Sequence, residues 1–357
     1  MSLQQRVTAL AQAVGADIRK LDVSRHPAIR PSLRLDFINC ARLDPRITFT
    51  RASGGGRVNA AGQSEWLAAD QPRIDYDPVT GECRGLLIEE QRTRLNTVST
   101  GSSLLTPTRA TYVDDGTLFI DNTTPFRKLV ESTDTGSHFC LPFGVSLVAN
   151  TTYTASYIVR AAGRTKFRLD ATSAALWAIS SPYVEYDLDA ATAIGRSGAS
   201  GTIRPLGNGV FRVTWTATTG AASFNSAIYA ILQDDSGATS YTGDGVSGIY
   251  ISGYQIEAGS SATSLIVGEG AQVTRAADMA IVNVLSPWFN AAAGTWKVRA
   301  KGVVGKALLT AGNSVITADS ALAKDYTLSY SADPAATSVA IGFGHIESIK
   351  YYPRVVA

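Results

Sequence analysis

The stretch 150–161, NTTYTASYIVRA, decides the fold class. Successive side chains of an extended chain point to opposite faces, so residues two apart share a face. One face then carries Tyr153, Ala155, Tyr157 and Val159, and the other carries Thr152, Thr154, Ser156 and Ile158. Similar runs, GNGVFRVTWTAT (207–218) and GIYISGYQIEA (248–258), follow after polar turns. Short strands repeated in this way predict a mainly β chain built from β-sandwich or jelly-roll modules.

The bulk composition agrees with that prediction and excludes one class of partner. The 357 residues contain 32 Lys and Arg against 30 Asp and Glu, a net charge of +2, which argues against nucleic-acid binding by a bulk electrostatic field. Charged residues make up 17% of the chain, and 32 residues are Gly. This composition favours short strands and many turns over long charged helices.

Three cysteines, Cys40, Cys83 and Cys140, are present. No CxxC pair occurs, which excludes a zinc ribbon or a thioredoxin-type site. We expect three buried thiols, and one disulfide with one free thiol remains an alternative.

Apolar residues recur at steps of three and four near the start of the chain, which predicts an amphipathic helix. They are Leu3, Val7, Leu10, Val14, Ile18 and Leu21. A helix of this length is marginal alone in water, so its stripe needs a partner. We predict a short parallel coiled coil that makes a homotrimer, with packing on its own domain as the alternative. We expect no signal peptide and no membrane insertion, and synthesis in the cytoplasm.

Patterning divides the chain into five predicted segments. They are the helix (1–24), a Pro-containing linker (25–32), the first part of a β-sandwich (33–105), a central jelly-roll module (106–280) and a β segment completing the first sandwich (281–357). We therefore expect the outer parts to share a sheet system, with the central module inserted between them.

The stretch 85–94, GLLIEEQRTR, combines acids and bases directly after an apolar run. Glycoside hydrolysis needs two carboxylates about 5 to 9 Å apart across a cleft. Glu89 and Glu90 are adjacent, and adjacent strand residues point to opposite faces, so they do not form such a pair. We instead predict internal Arg–carboxylate clamps that use Arg51, Arg73, Arg92 and Arg275.

The residues that usually carry catalysis are scattered. His26, His138 and His345 lie in a linker, a loop and a Gly-rich turn, and neither GxSxG nor HExxH occurs. Asp234 and Asp235 lie in a predicted turn. We therefore expect no enzymatic activity.

Several blocks resemble one group of proteins. LQQRVTALAQAVGADIRKL (3–21) is similar to the N-terminal helix of many tailed-bacteriophage tail-fibre and virion proteins. Blocks common in phage and prophage tail proteins are similar to ITFTRAS (47–53), PRIDYDPVTGECRGLLIEEQRTRLN (72–96), YQIEAGSSATSLIVGEGAQVTRAAD (254–278) and IKYYPRVVA (349–357). Region 110–268 resembles their jelly-roll carbohydrate-binding modules, through 152–159, 207–215 and 248–259. The flanks resemble a concanavalin-like lectin sandwich.

Carbohydrate sites place an aromatic ring under the sugar and fix its hydroxyls with amides or carboxylates. The candidates in the central module are Trp177, Tyr183, Tyr186, Asp234, Tyr241, Asp244 and Gln255. The jelly-roll resemblance also implies a structural Ca²⁺ held by oxygen ligands, with Glu257 as the candidate ligand. No other cofactor is expected.

The resemblance implies a bacteriophage virion protein, a homotrimeric tail fibre or appendage that attaches to host-surface glycans without catalysis. Its expected location is the phage tail, where it would contact other tail or baseplate proteins. One alternative is an adaptor or decoration protein with a purely structural role. A second is a polysaccharide depolymerase tailspike.

Overall fold

The computed structural model describes residues 30–39, 42–97, 105–119, 125–268, 270–333 and 335–356. Within these ranges the chain forms 31 strands and one 3₁₀ helix, Ala174–Leu176. The mainly β fold predicted from the sequence is thus confirmed. The N-terminal helix and its stripe from Leu3 to Leu21 lie outside the described residues and stay a prediction. No helix in the described part of the chain is long and apolar enough to cross a membrane.

The strands are numbered in chain order. Those of the first flank are β1 (Leu33–Asp36), β2 (Ile47–Thr50), β3 (Gly55–Val58), β4 (Ser64–Leu67), β5 (Arg73–Tyr76), β6 (Cys83–Ile88) and β7 (Arg92–Arg94). Those of the central part are β8 (Leu105–Thr108), β9 (Ala110–Val113), β10 (Lys128–Glu131), β11 (Thr135–Gly136), β12 (Phe139–Pro142), β13 (Val145–Leu147), β14 (Thr152–Ala162), β15 (Lys166–Ala171), β16 (Tyr183–Asp187), β17 (Thr192–Arg196), β18 (Ser200–Gly207), β19 (Val210–Thr218), β20 (Phe224–Ser226), β21 (Ile228–Leu232), β22 (Tyr241–Thr242) and β23 (Gly248–Ala258). Those of the last flank are β24 (Val273–Arg275), β25 (Met279–Val282), β26 (Gly294–Gly302), β27 (Ala307–Ala311), β28 (Ser314–Thr317), β29 (Lys324–Tyr330), β30 (Val339–Ile341) and β31 (Gly344–Tyr352).

The two flanks build one sandwich from two antiparallel sheets. One sheet has the order β29-β26-β31-β6-β5, with β1 also paired to β31, and the other has the order β2-β25-β30-β27-β28. Leu33 lies opposite Tyr351 and Ile88 opposite Gly344, so strands from both ends of the sequence share one sheet. A core cluster that includes Trp296 and Leu309 fills the space between the sheets.

Residues 273–282 pair with this flanking sandwich. β24 pairs with β7 and β25 with β2, although the sequence had placed 106–280 in the central module. The reason is local pairing: the chain enters the central part after β7 and returns at β24, so the two strands meet side by side. The Asn96 side chain secures the entry, because its amide donates to the Tyr254 carbonyl at 2.8 Å and accepts from Ile256 N at 2.9 Å.

The central part forms a second sandwich, with sheets ordered β18-β19-β14-β23-β10-β9 and β17-β16-β15-β21-β12-β8. The alternation along β14 explains its core. Tyr153, Ala155, Tyr157 and Val159 all belong to the cluster between the two sheets. Burying each large side chain contributes roughly 1.5 to 3 kcal/mol. The opposite face of β14 packs elsewhere: Ile158 joins a small cluster with Phe119 and Phe126.

The cysteines do not form a bridge among the described residues. Cys83 is half-buried and Cys140 is buried, and both are free thiols, while Cys40 lies outside the described ranges. Burial raises the pKa of Cys140 to about 11, so this thiol stays protonated and unreactive at neutral pH.

Candidate functional site

A buried cluster of arginines and carboxylates lies in the flanking sandwich. Asp278 accepts from Arg51 Nη1 at 3.0 Å, contacts Arg73 and lies 3.8 Å from Arg275 Nη1. Arg73 Nη1 also donates to Glu89 Oε2 at 2.6 Å, and Arg275 Nη2 lies 3.6 Å from the same oxygen. The three arginine side chains are fully buried. The predicted Arg–carboxylate clamps are confirmed for these positions.

The neighbouring acids Glu89 and Glu90 serve different partners. Glu90 lies 2.5 Å from Arg92 Nη2 and 2.9 Å from Lys306 Nζ, at the surface. Glu89 is held inside the cluster, where it also accepts from Ser264 N at 2.8 Å and from Ser264 Oγ at 2.6 Å. Burial alone would raise the pKa of Glu89, but the charges of Arg73 and Arg275 and the Ser264 hydrogen bonds outweigh it and lower the pKa to about 2. Glu89 is therefore a structural anion at neutral pH.

The Ser264 contact with Glu89 fixes the loop that follows β23 against the flanking sandwich. Next to it, Thr263 donates to Glu257 through its backbone N at 3.0 Å and its hydroxyl at 2.5 Å. Gln255 Nε2 donates to Glu257 at 2.7 Å, and Ile266 N donates to Gln255 Oε1 at 2.7 Å. One loop is thus tied to both sandwiches by buried polar contacts.

A groove runs between this loop and the sheet. Its floor consists of Thr202, Arg204, Arg212, Thr214 and Thr216 on β18 and β19, and residues 260–265 form one wall. It comprises two adjoining cavities of about 190 and 230 Å³, which share Arg204, Arg212 and Ala262. Together they fall in the size range of small-molecule pockets, about 300 to 1,000 Å³. We call this feature the hydroxyl–arginine groove.

The first cavity opens towards the flanking sandwich. Its far side includes Arg57, Asp75 and His345, so the groove lies at the junction of the two modules, where ligand pockets are frequent. Asp75 accepts from Val58 N at 2.7 Å and lies 2.8 Å from His345 Nε2.

Threonine pairs across neighbouring strands give the floor its regular polar surface. Thr202 and Thr214 lie opposite each other with hydroxyls 2.7 Å apart, and Thr154 and Thr216 are 2.9 Å apart. The alternation that turns Val213 and Trp215 into the core leaves Arg212, Thr214 and Thr216 on the outer face.

Three of the predicted sugar-binding residues are buried. Trp177 is 3% exposed and packs edge-on against Trp215, and Tyr186 is 2% exposed and stacks on Phe167. Gln255 is fully buried under the loop described above. This corrects the expectation that these residues contact sugar, because a ligand arriving from solvent cannot reach them. Tyr183 is half-buried, with the Arg168 guanidinium 4.3 Å from its ring centre.

Tyr241 and Asp244 come together around Glu131, away from the groove. The Tyr241 hydroxyl donates to Glu131 Oε2 at 2.6 Å and the Asp244 backbone N donates to Oε1 at 2.9 Å. Arg164 holds the same carboxylate through two hydrogen bonds of 2.9 and 2.7 Å. Asp234 caps its own turn by accepting from Ala238 N at 2.8 Å. These contacts stabilise loops, so the cluster is structural.

Glu257, the candidate calcium ligand, has both carboxylate oxygens engaged by the protein. It is fully buried, and both of its oxygens accept hydrogen bonds from Gln255 and Thr263. A cation there would have to displace these donors. Among the described residues, no three His, Cys, Asp or Glu side chains are grouped as metal ligands.

The fold and groove define a β-sandwich-type protein with a polar cleft between two modules. No family model matches the chain, and a search of curated proteins found no significant match.

The groove residues were missed by sequence reasoning, although a signal was present. The alternation in VFRVTWTAT marks Arg212, Thr214 and Thr216 as one outward face. The alternation does not predict that residues 260–265 lie beside this polar face and form the wall of a groove.

Proposed function

We propose that the protein is a non-catalytic attachment protein that holds a saccharide in the hydroxyl–arginine groove. The observation that carries the proposal is the floor of paired threonine hydroxyls and two arginines, enclosed by a loop that is fixed to both sandwiches. Polar side chains held rigidly suit the binding of sugar hydroxyls, since little side-chain entropy is lost on binding.

The acids near the groove favour binding over hydrolysis. A glycosidase acid must be protonated to act, whereas the pKa of Glu89 is lowered to about 2 and two arginines hold its carboxylate. Asp75 is engaged by His345 and by the backbone of Val58. Neither carboxyl group is placed as a free general acid.

The resemblance of the sequence to tail-fibre proteins supplies the setting for this activity. In that setting the protein is a homotrimeric part of a phage tail, and the groove attaches the particle to host-surface glycans. Three copies per fibre would raise a weak affinity through multivalency.

A glycan array with the full-length protein tests the proposal. The double variant Thr202→Val/Thr214→Val removes two floor hydroxyls while keeping the β-branched shape. Its matched control is Thr152→Val/Thr218→Val. This cross-strand pair lies on the same sheet but outside the groove, and its hydroxyls are 2.9 Å apart.

Glycan binding that the groove variant reduces at least tenfold and the control leaves unchanged supports the proposal. Binding to no glycan, with the protein still assembled into particles, would instead assign a purely structural adaptor role. Release of reducing sugar from a bound polysaccharide would assign depolymerase activity.

A further inference from the structure

Two arginines on the groove floor form no salt bridge with any of the described residues. Arg204 and Arg212 lie directly opposite each other on β18 and β19. The nearest acids act on Arg212 only through longer-range electrostatics: the charges of Glu257 and Glu89 partly offset the lowering of its pKa by burial. Arg212 makes one recorded hydrogen bond, from Nη2 to Ser156 Oγ at 2.9 Å. An arginine carries five N–H donors, so most of the donors at this place are not used by the protein.

The other arginines nearby are used differently. Arg51 donates to Asp278 and to the backbone carbonyls of Ser53, Gln71 and Ala68. Arg57, on the far wall of the groove, pairs with Glu65 at 2.9 Å. Those arginines hold the protein together, whereas Arg204 is exposed and Arg212 lines both cavities with a buried Nε that has no hydrogen-bond partner.

The pairing of Arg204 with Arg212 also has an energetic consequence. Like charges directly opposite on neighbouring strands repel each other, so an anion bound between them relieves a destabilising contact. A planar carboxylate matches guanidinium groups through paired hydrogen bonds.

The remaining lining points to a sugar that carries the anion. None of the described residues that line the groove is a Phe, Tyr or Trp, and the one imidazole, that of His345, is engaged by Asp75 at 2.8 Å. The groove offers hydroxyls instead, from Thr202, Thr214, Ser260 and Ser261. These groups suit the hydroxyls of a sugar that a charge already holds in place.

We propose that the groove selects saccharides bearing a carboxylate, such as uronic or sialic acid units. Arg204 and Arg212 bind the carboxylate, and the threonine and serine hydroxyls bind the neutral hydroxyls of the sugar. This inference rests on the proposed attachment function and names the ligand class of the same site.

The test measures binding of the full-length protein to acidic polysaccharides and to the same polysaccharides after chemical reduction of their carboxylates to alcohols. The variant is Arg204→Gln, chosen because the side chain is exposed. The control is Arg196→Gln, an exposed arginine on the opposite sheet of the same module, which removes the same charge. Inorganic phosphate serves as a free-anion competitor.

We expect binding to the acidic forms, at least tenfold weaker binding after carboxylate reduction, and a similar loss for Arg204→Gln but not for Arg196→Gln. Added salt should weaken binding of the wild type. Groove-dependent binding that survives carboxylate reduction would overturn this inference and leave the attachment function standing. Binding to no saccharide would overturn both. Displacement of the sugar by phosphate at an equal concentration would reassign the site to free anions and overturn the inference.

Discussion

The buried carboxylate of Glu89 makes a quantitative prediction about stability. Its pKa is lowered from 4.5 to about 2, since Arg73, Arg275 and Ser264 outweigh the effect of burial. Because the folded-state pKa lies below the ordinary value, the stabilisation is fully present above pH 4.5 and is lost as the pH falls towards 2. A shift of this size corresponds to on the order of 3 kcal/mol at pH 7.

Glu89→Gln keeps the shape of the side chain and removes the charge. We expect the variant to lose about 3 kcal/mol of unfolding free energy at pH 7, in the range measured when one partner of a buried ion pair is removed. The loss should shrink to about 2 kcal/mol at pH 3.5, because Glu89 in the unfolded wild type, at its ordinary pKa of 4.5, is then mostly protonated, which stabilises the unfolded chain. Urea unfolding followed by tryptophan fluorescence between pH 7 and pH 3.5 measures both values.

Glu65→Gln is the matched control, since it breaks the pair of Glu65 with Arg57 on the exposed side of the same sandwich. We expect Glu65→Gln to lower the free energy of unfolding by less than about 1 kcal/mol at every pH. A difference between wild type and Glu89→Gln that stays constant from pH 7 to pH 3.5, or that never exceeds that of the control, would refute the assignment of Glu89 as a buried anion.

Two further substitutions test the fold, and one mass measurement tests the assembly. Leu169→Ala, in the core of the central sandwich, should lower the free energy of unfolding by about 2 to 5 kcal/mol, as measured by urea unfolding. Val148→Ala, at an exposed position, should lower it by less than about 0.5 kcal/mol. Gly85→Ala should lower the melting temperature more than Gly81→Ala. Both glycines have positive φ, but only at Gly85 would an added Cβ lie 2.1 Å from a backbone oxygen, that of Ile346. Equal losses of melting temperature would contradict this reasoning. Light scattering of the full chain should give three times 37.7 kDa, and a stable monomer would contradict the predicted coiled coil.

Much of the fold could be predicted because buried and exposed side chains alternate along a strand, so apolar residues recur in the sequence with a period of two. Tyr157 and Trp215 recur at steps of two with other apolar residues of β14 and β19 and are fully buried. Ile158 shows the limit of this pattern, since it lies on the polar face of β14 and is buried in a separate cluster by residues far away in sequence. The pattern identifies which face is apolar but not what covers the other one.

The site was less predictable for the same reason. Trp177 and Tyr186 were chosen as sugar-binding residues because aromatic rings serve both cores and carbohydrate sites, and the sequence does not distinguish these uses. Their burial depends on long-range packing, with Trp177 against Trp215 and Tyr186 against Phe167. The arginine clamps were easier to predict, because buried arginines require carboxylate partners and the acids lie in the same sequence blocks.

The structure links the stability of the flanking sandwich to the shape of the groove. Glu89 binds both the backbone and the hydroxyl of Ser264, and Ser264 follows Thr263, which holds Glu257 in the central sheet. The loop that forms the groove wall therefore depends on a carboxylate in the other module. Loss of the Glu89 charge should loosen this wall and weaken glycan binding even where Arg204 and Arg212 are intact. A groove placed on the central sandwich alone would not respond in this way, so this response would assign the junction between the modules to the proposed binding site.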